Sequence, residues 1–100
     1  MSVNVTVIYT ARPGKGDELE RHLRAMLIPT REEPGCLYYR LFRSDSERND
    51  FALLESYESN QAFESHKASE HFTRHVKDGA WDVVESRTVV VGHEIDPVDD

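Results

Sequence analysis

From Val3 to Tyr9 the side chains alternate, with Val3, Val5, Val7 and Tyr9 on one face and Asn4, Thr6, Ile8 and Thr10 on the other. A period of two in a run rich in β-branched residues predicts a half-buried strand over Val3 to Ala11. Pro13-Gly14 stops it, and the period then changes. Leu19, Leu23, Met26 and Leu27 recur at helical spacing and form one apolar stripe. Asp17 with Glu20 three residues later has the form of a capping box at its start. Pro29 removes one helical hydrogen bond, which predicts a kink or a loosened last turn. His22 falls off the stripe and is expected on the solvated side.

Glu33-Pro34-Gly35 is turn chemistry before a second strand, Cys36 to Ser44. Here Cys36, Tyr38, Arg40 and Phe42 share one side and Leu37, Tyr39 and Leu41 the other, so neither side is fully polar. Such a strand is expected to be covered on both faces, by helices and by a second subunit. A polar connection leads to a third strand, in which Phe51, Leu53, Glu55 and Tyr57 share a face. Ser59 is placed to cap a short helix with Ala62, Phe63 and His66 inward. Ser69 resets the cap for a second helical piece, with Phe72 and Val76 as its apolar pair and Gly79 as its expected end. Val83 to His93 is the last strand, and Trp81 stands just before it, where it could close a cavity.

The order β-α-β-β-α(α)-β over residues 1–100 predicts one α+β domain with the ferredoxin-like plait, a four-stranded antiparallel sheet with helices on one face. No helix remains for the other face. Its burial in a homodimer is the simplest solution.

Composition narrows the partners. A net charge of −7 opposes binding to nucleic acid or to an anionic membrane surface, both of which need clustered Lys and Arg. No apolar run is long enough to span a membrane, and Met1 leads straight into a strand pattern, so neither a span nor a secretory signal is expected. The single cysteine, Cys36, cannot form an internal disulfide, and a reducing cytoplasm is the expected compartment. Residues 96–100, DPVDD, read as an acidic solvated tail.

The candidate chemistry gathers between Phe51 and Phe72. Glycine-rich phosphate loops, CxxC pairs, HExxH and Gly-x-Ser-x-Gly elbows are all missing, and PGKG at 13–16 reads as a turn. Cys36 reads as a small buried hydrophobe rather than a nucleophile. His71 and His75 lie four apart but supply only two ligands, and a third would have to come from a residue such as Glu70 or His66, so a solvated helix face is expected rather than a metal site. His66 is sharper: inward on a short helix beside Phe63, it faces the strand that carries Glu55 and Tyr57. It is either a base whose tautomer a carboxylate fixes or a core histidine satisfied locally. Glu55 is either cavity-facing or paired with Arg40 or Arg87 across the sheet.

ARPGKGDELE after the first strand, EEPGCLYYRLFRSD into the second, FALLESYES in the third and QAFESHKASEHF in the helix together resemble the antibiotic biosynthesis monooxygenase-like family of small dimeric plaits. The resemblance covers nearly the whole chain and implies a dimeric α/β barrel. Haem-degrading members need an Asn, a Trp and a His where this chain has Val7, His66 and Val76. Without the axial imidazole the iron has no protein ligand, so haem degradation is rejected. His66-Lys67 with His71 before an aromatic is more similar to the quinol-oxidising and signal-processing members. The resemblance implies a small aromatic or quinol-like substrate, oxidised directly by dioxygen without flavin or metal. His66, Glu55 and His71 are the implied catalytic residues, and Val7, Tyr39, Tyr57, Phe63, Phe72 and Trp81 the implied pocket. Two alternatives remain: an isomerase acting on a small hydroxycarbonyl signal compound, or a dimeric binding module without turnover.

Overall fold

A computed structural model describes residues 2–98. Strand β1 (Val3–Ala11), helix α1 (Gly16–Arg24) and helix α2 (Leu27–Arg31) precede the hairpin of β2 (Cys36–Arg43) and β3 (Asp50–Tyr57). Helix α3 (Asn60–Lys67) then leads through α4 (Glu70–Phe72), a π-helical stretch (Thr73–Ala80) and α5 (Trp81–Val83) into β4 (Val84–Gly92). The strands form one antiparallel sheet in the order β2-β3-β1-β4. This is the expected ferredoxin-like α+β plait.

The alternation along β1 sets the core. Val3, Val5, Val7, Tyr9 and Ala11 are buried, as are Leu19, Leu23 and Met26 from the first helical segment. Each of the buried Val, Leu and Met side chains contributes about 1.5–3 kcal/mol by leaving water. The stripe survives although the helix divides. The Met26 N–H turns back to the Leu23 carbonyl at 3.1 Å, and Pro29 sits in the first turn of α2, where a missing N–H costs nothing. Asp17 does not cap α1. Lys15 precedes the helix without a side-chain cap, and Arg43 draws Asp17 and Glu20 into ion pairs at 2.8 and 3.1 Å instead.

In β2 the register shifts between Cys36 and Tyr38, so that Leu37 is the extra residue of a bulge. Cys36 opposite Tyr57, Tyr39 opposite Glu55 and Leu41 opposite Leu53 therefore share the helix-covered face. The sequence alternation had put Cys36 with Tyr38 on the other side. On the face without helices Ile8, Phe42 and Val90 are exposed. His22, expected in solvent, is half-buried against Gly79. Of the tail expected over 96–100, residues 96–98 are exposed and irregular, and Asp99 and Asp100 lie outside the described residues. No helix among the described residues is long and apolar enough to cross a membrane.

Candidate active site

Two serine caps position the helical side of the site. Ser59 Oγ accepts the Ala62 N–H at 3.1 Å and starts α3, which delivers His66 toward β3. Ser69 Oγ donates to the His66 carbonyl at 2.6 Å and accepts the Phe72 N–H at 3.2 Å, which ties the end of α3 to the start of α4. The chain then winds as a π-helix through Gly79, which therefore does not end the segment as expected. Gly79 serves a close approach instead, since a Cβ there would lie 2.7 Å from His22 Nδ1. The π-helical wind also has a consequence for the site. At 100° per residue, the nine residues from Phe72 to Trp81 would leave these rings on opposite sides of an α-helix. With i→i+5 bonding, at roughly 4.4 residues per turn, they complete about two turns and share a side. The rings meet edge to face with centroids 6.2 Å apart.

The turn before β2 brings in a residue that sequence reasoning passed over. Gly35 lies so close to α3 that a Cβ would sit 2.4 Å from the Ala62 Cβ. This close packing seats Glu33 beside His66. The Glu33 carboxylate takes His66 Nδ1 at 2.9 Å and His71 Nε2 at 2.5 Å on the same oxygen. Of the described residues, Glu33, His66 and His71 are the group whose ligand atoms lie close enough together to hold a metal ion. Both imidazoles stand within hydrogen-bonding distance of Glu33 Oε2, which links them as an imidazole–carboxylate–imidazole chain.

With Nδ1–H donating to Glu33, Nε2 of His66 carries the lone pair. It points to the opposite side, 3.8 Å from Glu55 Oε1. His66 is 2% exposed, and ring centroids of Tyr39, Tyr57 and Phe72 lie 5.1–5.7 Å from its own. Burial lowers its proton affinity, and Glu33 offsets only part of that. Glu55 faces inward and pairs with neither Arg40 nor Arg87; it accepts the Tyr57 hydroxyl at 2.6 Å. Burial pushes its carboxyl up to about 7, against the pull of the Tyr57 hydrogen bond. The phenols rise as well, Tyr9 to about 12 and Tyr39 well above its usual range, burial being the main cause in both. A neutral imidazole therefore stands beside a carboxyl that holds its proton to near neutral pH. Such a pair can move protons in both directions.

A cavity of about 630 Å³ opens in front of this pair, floored by Val5, Val7, Tyr39, Leu53 and Glu55 and walled by Phe63, His66, Phe72 and Trp81. Val89 and Val91 of β4 complete its open side. Of the residues singled out from sequence, Val7, Tyr39, Glu55, Phe63, His66, Phe72 and Trp81 line this space. Tyr57 lies behind it, fully buried, with its hydroxyl on Glu55. His71 is not among the residues lining it; its ring lies 6.1 Å from that of His66, and the two imidazoles are bridged by the Glu33 carboxylate. Cys36 is half-buried and free, and burial pushes its thiol up to about 11, far from a thiolate nucleophile.

Comparison with known proteins bears on the whole chain. A family model described as antibiotic biosynthesis monooxygenase matches residues 1–78. The provisionally named monooxygenase Rv0793 of Mycobacterium tuberculosis is 36% identical over 70 residues, which is 70% of this chain and 68% of that protein. Its solved structure superposes with a TM-score of 0.88 over 99% of this chain and 100% of the other. PA3566 of Pseudomonas aeruginosa superposes with a TM-score of 0.89 at 29% identity, covering 95% of both chains.

Proposed function

Because the chain belongs to the antibiotic biosynthesis monooxygenase family, we propose that it oxidises a small quinol or polyphenol with dioxygen, using His66 as the base. The observation that carries this reading is the buried His66 ring, held through Nδ1 by Glu33 with Nε2 turned to Glu55 and the aromatic cavity. His66 Nε2 takes a hydroxyl proton from the bound ring. The resulting phenolate reduces dioxygen by one electron, and the radical pair closes a carbon–oxygen bond. His66 returns its proton to the peroxide. In the last step the ring C–H and the O–O bonds break together, with His66 taking the carbon's proton and Glu55 supplying one to the departing oxygen. A quinol and dioxygen thus give a hydroxyquinone and water, and the substrate supplies all four electrons. Glu55 suits the acid role because its carboxyl keeps a proton to about pH 7.

The exposed Ile8, Phe42 and Val90 support a second copy of the chain over the open sheet face. In the oxygen-electrode test, His66→Ala should lose turnover on a hydroquinone panel by about 100-fold or more while keeping its fold and subunit association. Wild-type turnover in that variant would remove His66 from the mechanism. A second reading rests on the facing acid and base: the same pair could shuttle a proton on a hydroxycarbonyl compound. Product formation without oxygen uptake would favour that isomerase, and a ligand that stabilises the fold without turnover would favour a binding module.

A further inference from the structure

The charges that line the cavity do not follow the charge of the chain. The protein carries a net charge of −7, yet the charged residues around the cavity are Glu55, Glu64, Lys67, Lys77 and Arg87. Lys67, over the Phe63 ring at 4.3 Å, is paired with the exposed Glu64 at 2.7 Å, and the Glu55 carboxyl holds its proton to about pH 7. Lys77 and Arg87 remain, and neither forms an ion pair among the described residues. Both sit over the aromatic wall: the Arg87 guanidinium lies 4.2 Å above Trp81, and the Lys77 ammonium 6.0 Å from the Phe72 ring. These are the two rings that the π-helical wind sets side by side, and Lys77, five residues after Phe72, follows the same side.

Stacking on an aromatic face holds a cation in place without neutralising it. The cavity therefore presents an apolar slot with a proton-accepting end at His66 and a cationic edge along Phe72 and Trp81. A neutral quinol would use the slot and leave the edge unused. We infer that Lys77 and Arg87 form a subsite for an anionic substituent, and that the substrate is an aromatic hydroxy compound bearing a carboxylate or a similar oxyanion away from the reacting hydroxyl. The guanidinium offers a planar fork to a carboxylate and the ammonium a point charge, and both line the same end of the cavity, beside the adjacent Trp81 and Phe72 rings. This inference rests on the proposed reading for the reaction, but the subsite is defined by binding and not by turnover.

Trp81 is the chain's single tryptophan and lies under Arg87, so its fluorescence reports occupancy of this edge directly. Binding would be measured without oxygen, using naphthohydroquinone, its carboxylate and sulfonate derivatives, and the neutral methyl ester of the carboxylate. The carboxylate should bind about 5- to 30-fold more tightly than its ester, with the preference weakening as salt is added. Lys77→Gln and Arg87→Gln should each remove most of the preference, whereas Arg87→Lys should retain much of it and Arg74→Gln, away from the cavity, all of it. If Arg87→Gln fails to fold, Lys77→Gln and Arg87→Lys still decide the matter. Preference for the sulfonate over the carboxylate would assign the same subsite to a different oxyanion. Equal affinity for acid and ester, or a preference untouched by Lys77→Gln and Arg87→Gln, overturns the inference. Selective anaerobic binding of a hydroquinone carboxylate that then draws no oxygen once air is admitted would leave the subsite standing and refute the monooxygenase reading instead.

Discussion

Glu55→Gln separates the two demands made on this carboxyl. Glu55 is 4% exposed, and its pKa rises from an ordinary 4.5 to about 7 because burial disfavours the charged form. At about 1.4 kcal/mol per tenfold change in proton affinity, that difference amounts to about 3 kcal/mol. In the folded protein the group keeps its proton up to about pH 7, and in the unfolded chain only up to 4.5. Between those values the folded state holds the extra proton, so this contribution is complete below 4.5 and is lost as pH rises through 7. Glutamine does not titrate. Relative to the parent, Glu55→Gln should therefore gain about 3 kcal/mol of stability between roughly pH 4.5 and roughly pH 8. Any offset from the altered hydrogen bond to Tyr57 is constant across that range. His66, whose lowered pKa weakens the fold as pH drops below 6.5, has its Nε2 3.8 Å from Glu55 Oε1, so the comparison is made in a His66→Gln background, where no coupled titration enters. Urea unfolding followed by Trp81 fluorescence, at one fixed protein concentration across the pH series, measures the difference. A difference that stays flat with pH, or that favours the parent more as pH rises, refutes the buried-carboxyl account.

Two further variants probe the surroundings. Glu33→Gln removes the group that raises His66 against burial, so the acidic limb of kcat/KM should move to lower pH, while its maximum falls about 10- to 100-fold as the ring loses its fixed tautomer; an unchanged limb in a pH-rate profile would separate Glu33 from His66. Gly79→Ala places a Cβ 2.7 Å from His22 Nδ1 and should cost about 1–3 kcal/mol. His22→Ala in the same chain should recover much of that loss, as thermal unfolding of the four variants would show.

The parts of the fold visible in the sequence were those with a short period and one wet face. β1 shows this best: its alternation matches its burial residue for residue from Val3 to Tyr9, the apolar but outward-facing Ile8 included. The serine caps at Ser59 and Ser69 were equally readable, because a cap is a local hydrogen bond. The misreadings came from interactions across the chain. Asp17 has the composition of a cap, but Arg43, 26 residues away, claims it. A single bulge at Leu37 moved Cys36 to the other face of β2, and no periodicity encodes where a strand will bulge. An α-helical period could pair Phe72 with Val76 but could not align Phe72 with Trp81, which needs the π-helical wind. Within the site, His66 and Glu55 were legible as polar residues on apolar faces. Glu33 was not, because the turn signal of Glu33-Pro34-Gly35 explains that stretch fully until α3 is packed against it.

The central claim is that His66 is a neutral imidazole with its proton on Nδ1 and a free Nε2 toward the cavity. Nitrogen-15 spectra of the histidine rings, assigned by comparison with His66→Gln, test it directly at neutral pH. A protonated-type Nδ1 and an unprotonated-type Nε2 that shifts when a hydroquinone binds is the predicted result. A doubly protonated ring, or the proton on Nε2 with Nδ1 bare, would contradict it.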